Sequence, residues 1–181
     1  LLASSAASDV YKRQMVFEFM NDPAVPYLDQ QYMLGDALMV APVFREDKVA
    51  QYYLPEGAWT ELLTGETKEG GRWYQGTYDY FSMPLYVREN SIVVRGNCDT
   101  KPDYDYADHA TVCVYQLKDA AETKVPDIHG NNVFTVKAVK DGDTVKVSVE
   151  GAHTELKVEV FVGNEKKEAV LAADASEVVV A

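Results

Sequence analysis

Apolar and polar positions change rhythm near residue 44. Ala37 to Val43, ALMVAPV, is an unbroken apolar run without a charge, which predicts a short strand buried on both faces, as in a parallel sheet. Pro42 falls near its end, where a missing backbone N–H costs least, and Gly35-Asp36 supplies a turn before it. Met15 to Phe19, MVFEF, is a second short β-prone stretch, closed by the turn residues Asn21-Asp22-Pro23. Between the two, Tyr27, Leu28, Tyr32, Met33 and Leu34 recur near helical spacing with Asp29 close to the start, which predicts one or two helical turns. Strand, short helix, strand is the order found in parallel α/β cores.

Beyond Val49 the period shortens. Gln51 to Leu54, Trp59 to Leu63, Arg72 to Tyr74, Leu85 to Val87 and Ile92 to Val94 read as short strands. Pro55-Glu56-Gly57, Thr64-Gly65-Glu66, Gly70-Gly71 and Glu89-Asn90 separate them, a turn density that predicts a β-sandwich. Asn97 to Asp108 is polar and rich in turn residues, as a linker or ordered crossover would be. After it the alternation is cleaner. Val145, Val147 and Val149 face away from Lys146, Ser148 and Glu150, and Leu156, Val158, Val160 and Val162 interleave with Lys157 and Glu159, giving one dry and one wet face. Asp141-Gly142-Asp143 predicts a hairpin turn between Val133 to Val139 and Thr144 to Val149.

The net charge of −12 and pI near 4.6 argue against nucleic-acid and anionic-membrane partners, both of which need a cationic face, and leave a neutral substrate such as a sugar compatible. No apolar run approaches the roughly 20 residues of a membrane span. Cys98 and Cys113 lack metal-site spacing and read as unpaired residues of a reducing compartment, here a bacterial cytoplasm. The first residues need a separate reading. Ser4 to Gln14, SSAASDVYKRQ, looks like the in-frame translation of a sequencing-library adapter, so 1–14 are expected to be non-native and the natural sequence to begin near Met15.

Candidate chemistry is sparse. Asp103 and Asp105 could serve as paired carboxylates, yet short polar loops more commonly use such residues in turns. Glu18 and Asp36 lie in the core-like part, Asp36 where a turn or backbone cap is the ordinary role. His109, His129 and His153 form no metal or triad pattern, and neither a nucleophile elbow nor a phosphate loop is present. Trp59, Trp73 and Tyr78 could stack on a carbohydrate, although core packing is the commoner role of such rings. No catalytic, substrate-binding or metal-ligating residue is assigned on this basis, and no cofactor.

The segments MVFEF-x-NDP, YLDQQYMLGDALMVAPVF, YYLPEGAWTELLTGE, EGGRW and MPLYVRENSIV, in that order, resemble the C-terminal part of glycoside hydrolase family 31, the α-glucosidase and α-xylosidase family. The likeness runs from Met15 to about Gly96. Met20 departs from it, standing where the family usually has proline before the Asn-Asp-Pro turn. KPDYDYADHATVCVYQL and the hairpins after it are similar to the distal domain of the α-xylosidase branch.

The resemblance implies a mainly β chain: residues 15–46 as the last two strands of a (β/α)8 barrel, 47–96 as a proximal β-sandwich and 97–181 as a distal one. It implies a parent that releases α-linked xylose from oligosaccharides by a retaining mechanism with two aspartates, both outside this chain. Homo-oligomeric assembly of that parent is compatible with it. An α-glucosidase of the same family is the alternative, and a free-standing carbohydrate-binding or scaffold module is another. On the barrel reading Val43, Phe44 and Arg45 sit near the rim of the parent's site, Ala37 to Val43 expose unpaired edges, and the isolated chain is inactive.

Overall fold

The computed structural model describes residues 12–101 and 104–181, which divide into two compact units, one ending at Glu89 and the other running from Asn90 to Ala181. Most of the adapter-like stretch lies outside the described residues. In the first unit, β1 (Lys12–Gln14) leads into a one-turn helix α1 (Met15–Glu18), followed by a 3-10 turn at Val25–Tyr27, β2 (Tyr32–Leu34) and β3 (Leu38–Val40). Then come β4 (Val49–Leu54), β5 (Ala58–Glu61), β6 (Thr67–Glu69), β7 (Arg72–Thr77) and β8 (Leu85–Arg88). One sheet has the order β1-β2-β3-β8-β5-β6, and β4 pairs with β7 in a two-stranded ribbon.

This arrangement overturns the parallel reading of Ala37 to Val43. Leu38–Val40 is buried throughout, as its composition requires, but it pairs antiparallel with Tyr32–Leu34 on one side and with Leu85–Val87 on the other. Gly35, at φ 63°, turns the chain between β2 and β3, so the neighbour is local and a hairpin replaces the crossover a parallel partner would need. The same turn converts Tyr32–Leu34 from the expected helix to a strand, and the helical turn falls earlier, at Val25–Tyr27, where Pro26 presets it. Met15–Glu18 is helical rather than extended because that places Met15 in the core, where it is fully buried. Tyr32–Leu34 and Leu38–Val40 therefore belong to the same antiparallel sheet as β5 and β8.

Met15, Met33, Met39, Tyr52, Leu54, Trp59 and Tyr86 form the core of this unit, drawing on both sheets. Gln31 extends the pattern without being a strand: its amide donates to the Tyr53 carbonyl at 2.8 Å and accepts from the Tyr53 N–H at 2.8 Å, so a buried side chain stands in for a neighbouring backbone.

The second unit contains β9 (Ser91–Arg95), β10 (Thr111–Tyr115), β11 (Ala120–Pro126), β12 (Asn132–Asp141), β13 (Thr144–Gly151), β14 (Leu156–Val162), β15 (Glu165–Leu171) and β16 (Glu177–Val180). Two four-stranded sheets, β15-β14-β10-β9 and β11-β12-β13-β16, enclose Val112, Val114, Val158 and Val160 from one and Phe134, Val136, Val145 and Val147 from the other. That is a β-sandwich. The hairpin at Gly142 is as expected, with Asp141 opposite Thr144 and Gly142 at φ 58°. The polar stretch 97–108 joins β9 to β10, neighbours in one sheet, and Ser91–Arg95 lies in this second unit.

The exposed apolar surface is not where the barrel reading put it. Ala41 donates to the Pro84 carbonyl and Tyr78 to that of Lys48, which zips the loop after β3 to the loop before β8. Asp79 accepts from the Phe81 N–H and the Ser82 hydroxyl, fixing a turn that holds Tyr80 and Phe81 outward at 96% and 93% exposure, near Phe44 at 69% and Met83 at 42% in the same pair of loops. A patch of that kind associates in water. Serine at Phe44 and Phe81 together is expected to shift the isolated chain from self-associated to monomeric in sedimentation velocity. A parent chain already monomeric at high concentration would contradict the assignment.

Candidate functional site

The sequence candidates do not converge on a reaction centre. Asp103 lies outside the described residues; Asp105 accepts from the Ala107 N–H at 3.1 Å, an ordinary Asx turn. Glu18 is ion-paired with Arg13 and Arg88, and Asp36 with Arg13. His109 is half-exposed beside Asp108, and the backbone of His129 caps onto Asp127. His153 has its ring nitrogens 2.7 and 3.0 Å from the carbonyls of Thr154 and Ala175, which ties two loops together. Among the described residues no group of three His, Cys, Asp or Glu could hold a metal ion.

The stacking candidates separate sharply. Trp59 is 1% exposed, and its indole N–H donates to the Pro55 carbonyl at 2.8 Å, so it is core. Tyr78 joins a hydroxyl network: it donates to the Tyr52 oxygen at 3.1 Å, Tyr52 and Tyr86 share a bond of 2.8 Å, and the Lys68 ammonium donates to Tyr86 at 2.8 Å. Burial pushes the phenols of Tyr52, Tyr78 and Tyr86 above their ordinary range, so they stay protonated at neutral pH and cannot act as bases. Trp73 alone of the three presents an open ring, at 56% exposure.

Two carboxylates are buried among the described residues, one in each unit, and both hold structure. Glu61 accepts from the Thr64 hydroxyl at 2.7 Å. Glu159, 4% exposed, receives the Arg95 guanidinium at 2.6 Å and the Lys157 ammonium at 2.8 Å, with Lys166 at 3.5 Å. Burial alone would raise its pKa, but the Lys157 hydrogen bond and the Arg95 and Lys166 charges outweigh it and hold the carboxyl below its usual range. Alternation had placed Glu159 on a wet face. In the sheet it lies opposite Cys113 on β10, under Arg95, while Val162 of the same strand is 44% exposed. The Cys113 thiol, 3.7 Å from Glu159, is pushed up to about 11 by burial and is inert. Cys98 is partly exposed and unpaired by disulfide.

Fold and side chains thus define a pair of β units held by aromatic and ionic packing. The comparisons make this specific. Residues 9–93 match the glycosyl hydrolase family 31 C-terminal domain, and residues 105–181 match the C-terminal domain of the alpha-xylosidase YicI. The chain therefore belongs to glycoside hydrolase family 31 and corresponds to its C-terminal part. Alpha-xylosidase XylQ of Lactiplantibacillus pentosus is 31% identical over 167 residues, which is 90% of this chain and 22% of XylQ. Alpha-glucosidase 2 of Bacillus thermoamyloliquefaciens is 24% identical over 84% of this chain and 19% of its own length. The crystal structure of the family 31 alpha-xylosidase from Xanthomonas citri superposes with a TM-score of 0.71 at 27% identity, covering 93% of this chain and 21% of that one. The chain spans about a fifth of the length of these relatives. Among the described residues no helix is long and apolar enough to cross a membrane.

Proposed function

We propose that this chain is the non-catalytic C-terminal β region of a retaining α-xylosidase that releases xylose from α-linked oligosaccharides. The observation that carries the reading is the match of residues 105–181 to the C-terminal domain of an alpha-xylosidase, in the unit where the Glu159 cluster and the valine core lie. The match of most of the chain to XylQ supports it. Family 31 chemistry needs two carboxylates at close spacing. Engagement of the buried carboxylates by Thr64 in one unit and by Arg95 and Lys157 in the other supports a reacting pair supplied by the rest of the enzyme.

The test is to express a longer protein that carries this chain together with the catalytic region of its family. It is expected to hydrolyse an aryl α-xyloside with a higher kcat/KM than the matching α-glucoside. Preference for the glucoside would replace the substrate assignment, and turnover of neither would overturn the enzymatic reading.

A further inference from the structure

The first unit carries a groove of about 710 Å³ between the Glu18–Ala24 loop, the end of β4 and the turn at Gly70-Gly71. Its wall is built. The Tyr53 hydroxyl donates to one oxygen of Asp22 at 2.9 Å and the Ala24 N–H to the other at 3.0 Å, which fixes that carboxylate in place. Glu56 and Asn21 line the same groove and are exposed. At the turn, the N–H groups of Gly70 and Gly71 are taken by the Gly57 and Leu54 carbonyls, and a Cβ added at Gly71 would meet nothing within 4 Å, so the turn presents bare backbone to open space. Trp73 stands beside this wall: it is the direct cross-strand partner of Tyr53, with ring centres 5.6 Å apart.

An indole half in water carries a large apolar face at a standing cost of unburied area. Here it packs on Tyr53, whose hydroxyl holds the Asp22 carboxylate. Asp22, Glu56 and Glu69 line the groove, Glu69 being paired with Arg72, so anionic ligands are repelled. No set of three ligands for a metal ion exists among the described residues, and the Asp22 and Glu69 carboxylates are already answered by Tyr53 and Arg72. What remains is an uncharged molecule with hydroxyl groups to donate to the carboxylates and an apolar C–H face to lie on the indole.

We propose that this groove is a binding site for a neutral oligosaccharide, with Trp73 as the stacking face and Asp22 and Glu56 as hydroxyl acceptors. The site stands on its own geometry; only the choice of α-linked sugar rests on the reading under Proposed function. The site is assigned binding alone: of its carboxylates, Glu18 is paired with Arg13, Asp22 is held by the Tyr53 hydroxyl and Glu69 is paired with Arg72.

The probes are maltotriose and an α-xylosyl-glucose disaccharide, titrated into the intact chain. Of the two tryptophans, Trp59 is 1% and Trp73 56% exposed, so acrylamide quenching of fluorescence reports Trp73. Saturable protection at millimolar sugar is expected, with the same affinity by calorimetry at low and high salt because the ligand is neutral. Trp73→Ala should weaken calorimetric binding by about tenfold or more while Trp73→Phe keeps most of it, and Asp22→Asn should weaken it with an unchanged melting temperature for the Asn90–Ala181 unit. No saturable heat and no protection with either sugar would overturn the site, whatever the longer enzyme hydrolyses. Binding that Trp73→Ala leaves intact, or that high salt abolishes, would overturn it too. If the longer enzyme prefers α-glucosides while sugars still protect Trp73, the site stands and only the enzyme's substrate assignment falls.

Discussion

Trp59→Ala is expected to unfold the first unit while leaving the second folded. The indole is 1% exposed, packs tilted against Phe19 with ring centres 6.2 Å apart, and ties β5 to the β4 turn through its bond to Pro55. Removing it leaves a large cavity and an orphaned carbonyl, a loss of about 3–5 kcal/mol, comparable with the whole stability of a domain this small. The core of the second unit, built on Phe134 and the valines of β10, β12, β13 and β14, contains no residue of the first. Limited proteolysis should therefore digest residues up to about Glu89 and spare a fragment from near Asn90, with the thermal transition of that fragment unchanged. A wild-type melting profile for Trp59→Ala would contradict the core assignment.

Glu159→Gln carries the second large effect, and its signature is pH. The buried carboxylate answers the charges of Arg95, Lys157 and Lys166, which are themselves 40%, 45% and 44% exposed. Removing one partner of a fully buried pair costs about 3–5 kcal/mol; water around the cations reduces this, so about 2 kcal/mol is expected for the second unit. The Glu159 pKa is lowered in the folded state from an ordinary value of 4.5. Its contribution is therefore fully present above that value and is lost as the pH falls through the lowered one. Denaturant midpoints measured from neutral pH downward should fall for the wild type below the ordinary carboxyl range, and converge there with a Glu159→Gln profile that is flatter and lower at neutral pH. Parallel profiles separated by a constant would contradict the ionic role.

These residues also show what could be read before folding. The β12–β13 hairpin was legible because Asp141-Gly142-Asp143 lies between two alternating runs and both cues agree. The burial of Leu38–Val40 was equally legible, but not its direction: an apolar run says that both faces are covered, not which way the neighbours run. Gly35 decided that by closing a local hairpin, whose loop entropy is far smaller than that of a crossover. Glu159 was read as wet because alternation is a local signal, while its partner Arg95 lies 64 residues earlier in the chain. Trp59 and Trp73 look alike in the sequence, and β5 and β7 sort them, one into the core and one toward water. The groove beside Trp73 had no local signal, since its three walls come from residues near 20, 55 and 70.

The most direct measurement is the hydrolysis of aryl α-xyloside and aryl α-glucoside by the purified 181-residue chain. On the proposed reading, product release should match the buffer blank at every substrate concentration. Saturable turnover that follows this chain through purification would show that it contains a reaction centre of its own and contradict its assignment as a non-catalytic β region.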